Sequence, residues 1–378
     1  MDRIQIRNLG PIREVDLEIR DFMIFIGPNA SGKSTISKVV YVFYYFKYLF
    51  SSITDNNINF IKDDSKDNTK EWDIFASLGI TEETFISCQY FKDSQPLLSL
   101  IINPGVHNDI DRFKVLCNYE FENLFIPIFI PSGRILSSIL PKINYNLIGD
   151  FTYSIHDINV KGIKNLYHHI NSEQLEKMIL TNDYYHTMRY RLATELSHSI
   201  LKGKYSSLPD ADRLSFNDIN YIDIENASSG QQSSLWISNL ISFFFTIKKS
   251  SAFFLEEPEA HLFPEAQKQI VELISLFSST TPGNQVMITT HSPYILSATN
   301  NLLYAYRVGQ KKPEEVAKVI DPLLWLDPKR VGAYFVDNGT IRSIMDDELE
   351  MIKTEEIDNV SRILNDQFDQ IFALEEIE

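Results

Sequence analysis

The chain has 378 residues, of which 44 % are apolar and 23 % are charged. These values are ordinary for globular domains and exclude a wholly disordered, collagenous or coiled-coil chain. The formal charge of −16 argues against a surface that binds nucleic acid everywhere, because bulk negative charge repels phosphate, but it leaves room for one local basic groove.

The cysteine content and the hydropathy of the sequence both indicate where in the cell the protein is located. Two cysteines, Cys88 and Cys117, are too few for a disulfide framework or a cysteine-rich zinc site, and they suit a reducing cytosol. The N-terminus lacks the apolar segment of a signal peptide. The most apolar stretches, 39–50 and 235–247, are shorter than the ~18 residues that a membrane span needs. We therefore expect a cytoplasmic protein that does not contact a membrane.

The first 50 residues predict a strand–loop–helix order. Residues 3–19 alternate around a Gly10-Pro11 turn, which predicts two strands in a hairpin. The continuous apolar run 22–26 predicts a central strand that is buried on both faces. A glycine-bearing loop follows, and a helical pattern then extends to about residue 50.

That loop, residues 27–34, fits the pattern G-x-x-x-x-G-K-[ST] without a mismatch. Glycines let successive backbone N–H groups face one anion, and the following helix adds its positive end. Lys33 would reach the β- and γ-phosphates, and the Ser34 hydroxyl would bind Mg²⁺. A chance match is disfavoured by the flanking strand and helix. The expected nucleotide contacts are Asn29, Ala30, Ser31, Gly32, Lys33, Ser34 and Thr35.

The middle of the chain is less regular. Residues 51–72 predict a polar surface loop. Residues 84–91 and 113–131 predict strands, and Pro127 moves the second region towards a sheet edge or a bulge. Residues 133–220 have a mainly helical pattern and predict an inserted lobe.

One stretch of this lobe combines basic and aromatic residues. It could contact a nucleic-acid backbone, or it could be an ordinary solvated helix face. Its members are His186, Arg189, Tyr190, Arg191, His198, Lys202, Lys204 and Tyr205.

From residue 228 onward helices and strands alternate, which implies a parallel sheet. The strand at 252–255 ends in two acids: Glu256 would bind the metal, and Glu257 would polarise a water for attack on the γ-phosphate. Alternatively, these acids merely end a strand at the surface. The strand at 285–290 ends at His291, which would either donate a hydrogen bond to the γ-phosphate or have a structural role.

Two further segments invite a functional interpretation. Residues 226–232 place small polar side chains before a helix, which predicts either an anion site or a simple N-cap. The acidic segment 346–378 carries apolar residues at helical spacing. It could dock a separate chain, or pack on its own domain or on a second copy.

The order of these motifs resembles that of ABC-type ATPases, specifically their SMC-like and OLD-like branch. Residues 4–12 resemble the first hairpin of that branch, 27–35 its Walker A loop, 227–231 its signature motif, 256–262 its Walker B and D-loop, and 290–293 its switch histidine. Ser229 replaces the usual first glycine of the signature, and Glu256 replaces the more usual aspartate. Residues 130–134 match more weakly, and Arg134 would face the nucleotide or the dimer partner unless it is an ordinary surface arginine.

The resemblance implies an α/β P-loop NTPase of ABC-ATPase type, with a mixed sheet flanked by helices and an inserted, mainly helical lobe. The implied division is 1–134 and 226–345 for the ATPase lobe, 135–225 for the insertion and 346–378 for an acidic amphipathic helix. The implied catalytic residues are Lys33, Glu257 and His291. The implied metal ligands are Ser34 and Glu256.

The family also implies a mode of action. Two protomers would sandwich two ATP molecules, so that the Walker A loop of one faces Ser228, Gly230 and Gln231 of the other. Small standalone ATPases that resemble this one are often sensor subunits of bacterial anti-phage systems. In those systems the nuclease or toxin is a separate chain. No Toprim nuclease motif follows the ATPase. An ATP-locked scaffold with incidental turnover and an SMC-like DNA clamp are the alternatives, and nucleic-acid binding stays open.

Overall fold

The computed structural model describes residues 2–51, 80–92, 95–103, 113–117, 126–132, 184–207, 212–247, 250–281, 283–353 and 359–375. Most of the loop predicted at 51–72, and the residue Arg134, lie outside these ranges.

Sixteen strands occur in the described ranges. They are β1 Asp2–Leu9, β2 Ile12–Ile19, β3 Phe22–Ile26, β4 Phe85–Lys92, β5 Gln95–Ile102, β6 Phe113–Cys117, β7 Ile126–Ile130, β8 Lys204–Ser207, β9 Asp212–Ser215, β10 Tyr221–Asp223, β11 Ser251–Glu256, β12 Gln285–Thr290, β13 Val331–Asp337, β14 Thr340–Ser343, β15 Met345–Asp346 and β16 Met351–Ile352. The α-helices in the same ranges are α1 Lys33–Ser51, α2 Tyr184–Leu201, α3 Ser229–Ile247, α4 Pro264–Thr280, α5 Pro293–Gly309, α6 Pro313–Ala317 and α7 Asn359–Glu375.

A six-stranded sheet in the order β14-β13-β3-β12-β11-β7 forms the centre of the fold. Its strands are parallel except for β14, which pairs antiparallel with β13. The parallel arrangement that the alternating helices and strands predict is therefore present. Pro127 lies in β7 at the edge of the sheet, where its missing N–H costs no ladder hydrogen bond.

A second, antiparallel sheet in the order β2-β1-β4-β5-β6 includes the predicted N-terminal hairpin. Helix α1 lies between the two sheets, and its buried side chains share one apolar core with both. Because neighbouring side chains of a strand point to opposite faces, β3 contributes side chains to two hydrophobic cores. Met23 and Phe25 belong to the core around α1, whereas Phe22, Ile24 and Ile26 belong to a second core formed with helices α2 to α5.

The described part of the predicted insertion contains more than helix. Strands β8, β9 and β10 form a small antiparallel sheet at residues 204–223, which the mainly helical pattern did not predict. Helix α2 buries Ala193, Leu196 and Ile200 in the second core, against α3 and α4. The division of the chain at 135 and 225 stays a prediction.

In the acidic segment that was predicted as one amphipathic helix over 346–378, helix α7 covers Asn359–Glu375, whereas the ribbon of β15 and β16 at 345–352 was not predicted. Apolar side chains of α7 are exposed, among them Leu364, Phe368 and Ile371. None of the helices in the described ranges combines the length and the apolar character that crossing a bilayer requires.

Candidate functional site

Three neighbouring parallel strands of the central sheet bring the predicted motifs together at their carboxyl ends. The phosphate-loop sequence follows β3, His291 follows β12, and Glu256 ends β11. In the strand register, Ile26 lies opposite Thr290, and Glu256 lies opposite Thr289. The carboxyl ends of parallel strands meet at one edge of a sheet, which is where open α/β folds bind ligands.

The phosphate loop owes its shape to its two glycines. A Cβ atom at Gly27 would clash with the carbonyl oxygen of Val336 at the end of β13. At Gly32, φ is +108°, and a Cβ atom would lie 2.9 Å from the Ile12 side chain. The loop is therefore packed between the first hairpin and β13. No residue larger than glycine fits at position 27 without a shift of backbone.

The ammonium group of Lys33 is folded into this loop. Its Nζ donates hydrogen bonds to the carbonyl oxygens of Gly27 at 2.9 Å and Pro28 at 2.7 Å. Burial lowers the pKa of Lys33, while the negative charges of Glu257 and Glu259 act in the opposite direction. The cation thus has internal acceptors that a phosphate oxygen can replace. Its carboxylate neighbours partly offset the effect of burial on its pKa.

Glu256 closes a strand in which every residue is buried. One of its carboxylate oxygens accepts a hydrogen bond from the backbone N–H of Ser132 at 3.3 Å, just beyond edge strand β7. A buried carboxylate at the edge that carries the phosphate loop suits a divalent cation, because hard cations prefer oxygen ligands. The chemistry of Ser34 and Glu256 therefore fits Mg²⁺.

Glu257 and His291 lie together in the open part of the site. Their side chains are partly exposed, and the His291 Nε2 is 3.7 Å from Glu257 Oε1. Glu257 has a φ of +45°, and its backbone N–H donates to the carbonyl oxygen of Thr289. This left-handed turn directs the chain away from β11 immediately after Glu256. The two adjacent acids therefore differ, one buried and one accessible.

The sequence interpretation missed Glu259, which connects these elements. One buried oxygen of Glu259 accepts hydrogen bonds from the Thr290 hydroxyl at 2.6 Å and from the backbone N–H of His291 at 3.0 Å. Gln267 forms a second connection, because it accepts from the Ser292 hydroxyl and donates to the Leu262 carbonyl oxygen. The sequence did carry a signal for Glu259, because it is the third acidic residue in the four residues 256–259.

The segment predicted as the signature motif begins helix α3. The Ser228 N–H and hydroxyl both donate to Gln231 Oε1 at 3.0 Å, and the Gln231 N–H donates to the Ser228 hydroxyl at 3.4 Å. This reciprocal arrangement is a capping box. The Gln231 amide also donates to the Leu201 carbonyl oxygen. Gln231 is thus engaged within its own chain, while Ser228 and Ser229 are exposed.

Helix α3 begins directly against the turn that follows Glu259. A Cβ atom at Gly230 would lie 2.6 Å from the His261 carbonyl oxygen. Beyond this contact, Phe263 exposes 78 % of its surface. The start of α3 and the turn at 260–263 therefore form one continuous exposed surface on the protomer.

Other predicted residues lie elsewhere. The resemblance to ABC-type ATPases also implies a Q-loop glutamine, for which the sequence offers Gln89 and Gln95. Both belong to the antiparallel sheet and not to the central sheet that carries Glu256. In the basic stretch, Arg189 donates to the carbonyl oxygens of Ser279 and Thr280 at the end of α4, and Tyr190 packs against the second core. These two side chains thus have structural roles, although Arg191, Lys202 and Lys204 are exposed.

One family profile matches most of the chain. The profile of a family described as the AAA ATPase domain matches residues 1–126 and 122–296. No curated protein sequence matches the chain.

Among solved structures, an SMC head domain from Thermotoga maritima is 13 % identical, with a TM-score of 0.40, over 90 % of this chain and 97 % of that one. The Smc head domain with an extended coiled coil bound to the C-terminal domain of ScpA, from Pyrococcus furiosus, is 11 % identical, with a TM-score of 0.45, over 91 % and 96 %. An ATP-binding cassette of an ABC transporter in its ADP conformation is 13 % identical, with a TM-score of 0.33, over 93 % of each chain. These scores are too low to support a functional comparison.

Proposed function

The chain belongs to the AAA ATPase domain family, and from this premise we propose that it hydrolyses ATP with Mg²⁺, dimerises around the nucleotide and gates a partner effector. The observation that carries the proposal is the meeting of the phosphate loop, Glu256, Glu257 and His291 at one sheet edge. Mg²⁺ would supply charge neutralisation at the phosphates. A cytoplasmic location and a role in anti-phage defence belong to the same proposal. The location rests on the low cysteine content, and the role rests on the resemblance of the motifs.

Each residue would have one task. Lys33 exchanges its bonds with the loop carbonyls for bonds with phosphate oxygens. Ser34 and Glu256 hold the metal. Glu257 orients the attacking water and takes its proton, and His291 donates a hydrogen bond to the phosphate that departs. The difference in exposure between Glu256 and Glu257 supports this division, because water must reach Glu257 and not Glu256.

A second copy would complete the site. The Ser228–Ser229 end of α3 and the exposed Phe263 lie on one surface. The N-terminal end of a helix favours an anion, and in the proposed dimer this anion is the γ-phosphate held by the other protomer. Bound ATP would then link the two copies, and hydrolysis would weaken the link.

The test compares three variants by phosphate release and by native mass with ATP and Mg²⁺. Lys33→Ala should abolish nucleotide binding. Glu257→Gln should reduce turnover by about 10²-fold or more, because the general base is lost, and should accumulate the ATP-bound dimer. Glu265→Gln is the matched control, since Glu265 is an exposed acid at the start of α4. Wild-type turnover in Glu257→Gln would contradict the proposed chemistry.

The Glu257→Gln variant also distinguishes a sensor subunit that depends on ATP turnover from a scaffold that needs only bound ATP. If turnover drives function, Glu257→Gln should trap the ATP-bound state and abolish the biological activity. If nucleotide occupancy is sufficient, the activity should survive. Duplex DNA binding that weakens with salt would instead favour the SMC-like clamp, because contacts with phosphate depend on salt in this way.

Helix α7 is the proposed attachment point of the effector. Leu364, Phe368, Ile371 and Phe372 lie on one face at helical spacing and expose 59, 66, 68 and 49 % of their surfaces. Segment 346–378 contains twelve acidic and two basic residues, so it carries −10 of the net −16. Two such segments would repel each other, so a partner with a basic, apolar-lined surface fits better than a second copy.

Co-expression with the products of the adjacent genes tests this attachment. Phe368→Glu should abolish co-purification of the partner, while Gln370→Glu adds the same charge on the opposite face and should not. Retention of the partner by Phe368→Glu would contradict the assignment. A native mass that shows copies joined through α7, with no partner, would contradict it as well.

A further inference from the structure

A cavity of about 470 Å³ lies beside the phosphate loop. Three segments line it: residues 28–31 of the loop, Pro11 and Arg13 of the first hairpin, and the turn 337–339 between β13 and β14. Pockets for small ligands usually measure roughly 300–1,000 Å³, so the space suits a nucleoside. The turn lies beyond the segment 1–296 that the family profile matches.

The turn and the first hairpin form one rigid wall. The backbone N–H groups of Arg13 and Glu14 donate to the Gly339 carbonyl oxygen at 2.8 and 3.0 Å. The Arg13 Nε donates to the Asn338 carbonyl oxygen at 2.6 Å. Asn338 and Gly339 have φ values of +48° and +73°, as the two central residues of a tight hairpin require. A Cβ atom at Gly339 would lie 2.6 Å from the Pro11 carbonyl oxygen.

The polar groups of this wall suit the non-phosphate half of a nucleotide. With Nε engaged, the guanidinium plane of Arg13 is held at the cavity. A planar guanidinium stacks on aromatic rings. Asp337 accepts hydrogen bonds from the backbone and side-chain nitrogens of Asn338, which fixes its carboxylate at the same cavity. Carboxylate oxygens accept readily from sugar hydroxyls and base amino groups.

We infer that this wall, Arg13 together with the turn 337–339, binds the nucleoside of the bound nucleotide. The base would stack on the Arg13 guanidinium, and Asp337 would accept a hydrogen bond from the sugar or the base. The inference rests on the proposed function, since it requires a nucleoside triphosphate on the phosphate loop. It assigns part of nucleotide recognition to a hairpin more than 300 residues away along the chain, as the separation of 325 between Arg13 and Asn338 illustrates.

The experiment measures, by calorimetry with Mg²⁺, the affinity of the full chain for ATP and for inorganic tripolyphosphate. Tripolyphosphate has the charges that occupy the phosphate loop but has no nucleoside. Arg13→Lys keeps the charge but not the planar guanidinium, and it should weaken ATP binding about 3- to 30-fold while changing tripolyphosphate binding by less than about twofold. Arg13→Ala also removes a positive charge, which weakens the binding of both anions, so its expected effect is a fall of about 3- to 30-fold in the ratio of the ATP affinity to the tripolyphosphate affinity. Arg7→Ala is the control, because it removes the same charge from the same hairpin at an exposed position outside the cavity.

Asp337→Asn gives an independent measurement. Loss of a negative charge strengthens the binding of both anions, so the ratio of the two affinities isolates the contact with the nucleoside. This ratio should fall about threefold or more when a hydrogen bond is lost.

Several results would overturn the inference. Parallel losses for ATP and tripolyphosphate would mean that Arg13 only supports the phosphate loop. Unchanged binding in the Arg13 variants, or equal wild-type affinities for the two ligands, would mean that the wall does not contact the nucleoside. If the wild-type chain bound neither ligand, the proposed function itself would fail, which is a distinguishable outcome.

Discussion

The interaction between Glu259 and the segment that carries His291 gives the sharpest test of the site. Glu259→Ala would remove the acceptor of two donors, the Thr290 hydroxyl and the His291 backbone N–H. Thr290 is fully buried, so water does not replace the lost carboxylate there. Each buried donor left unsatisfied costs about 1–3 kcal/mol. The free energy of unfolding should therefore fall by about 2–6 kcal/mol.

Turnover should fall as well, because the carboxylate positions His291 through its backbone. A displacement of about 1 Å at a reacting group can cost on the order of 10²-fold in rate. Glu259→Gln keeps one oxygen for both donors, and the other carboxylate oxygen has no hydrogen-bond partner among the described residues. We expect this variant to lose less than about 1.5 kcal/mol, the net value of an ordinary hydrogen bond.

Urea unfolding and phosphate release measure the two effects. Glu348→Ala is the control, since it removes an exposed acid and should change neither quantity. A Glu259→Ala variant as stable and as active as the wild-type chain would contradict this role of Glu259, and so would a Glu259→Gln variant as damaged as Glu259→Ala.

Three other substitutions test separate contacts. Gly27→Ala should abolish nucleotide binding in a titration, because its Cβ would clash with the Val336 carbonyl oxygen; retained binding would mean that the loop has room to shift. Tyr44→Phe should lower the unfolding free energy by about 1–3 kcal/mol, since the buried Tyr44 hydroxyl donates to the Asp2 carboxylate; an unchanged urea midpoint would contradict this. Phe263→Asp should reduce the ATP-dependent dimer seen by native mass without lowering the melting temperature, because Phe263 is exposed in the protomer; an unaltered dimer would remove Phe263 from the proposed interface.

Glu259 also acts on Lys33 through its negative charge. Its charge helps to keep Lys33 protonated against the effect of burial, which lowers the pKa of the ammonium. Both Glu259 variants should therefore lower the pKa of Lys33 further. As a result, nucleotide binding should begin to weaken at a lower alkaline pH than in the wild-type chain.

Local sequence patterns were enough to predict those parts of the molecule whose residues are neighbours along the chain. A buried strand, a glycine-bearing loop and a helix are neighbours along the chain, so 22–26, 27–34 and α1 were predictable from hydrophobic pattern and loop composition. The alternation after residue 228 also predicted the parallel sheet, and Pro127 predicted either a sheet edge or a bulge, of which the structure has the edge.

Contacts between groups that are distant along the chain could not be predicted in this way. The hydrogen bonds of Glu259, the contact between Gly230 and the His261 carbonyl oxygen, and the use of Arg189 at the end of α4 all join residues at least 30 positions apart. No local periodicity encodes such contacts, because they depend on how whole elements pack. The wall beside the phosphate loop is the extreme case, since a turn near residue 338 is locked against the first hairpin. An Asn-Gly pair predicts a turn, but the surface on which that turn packs is decided by the sheet order, which places β13 beside β3.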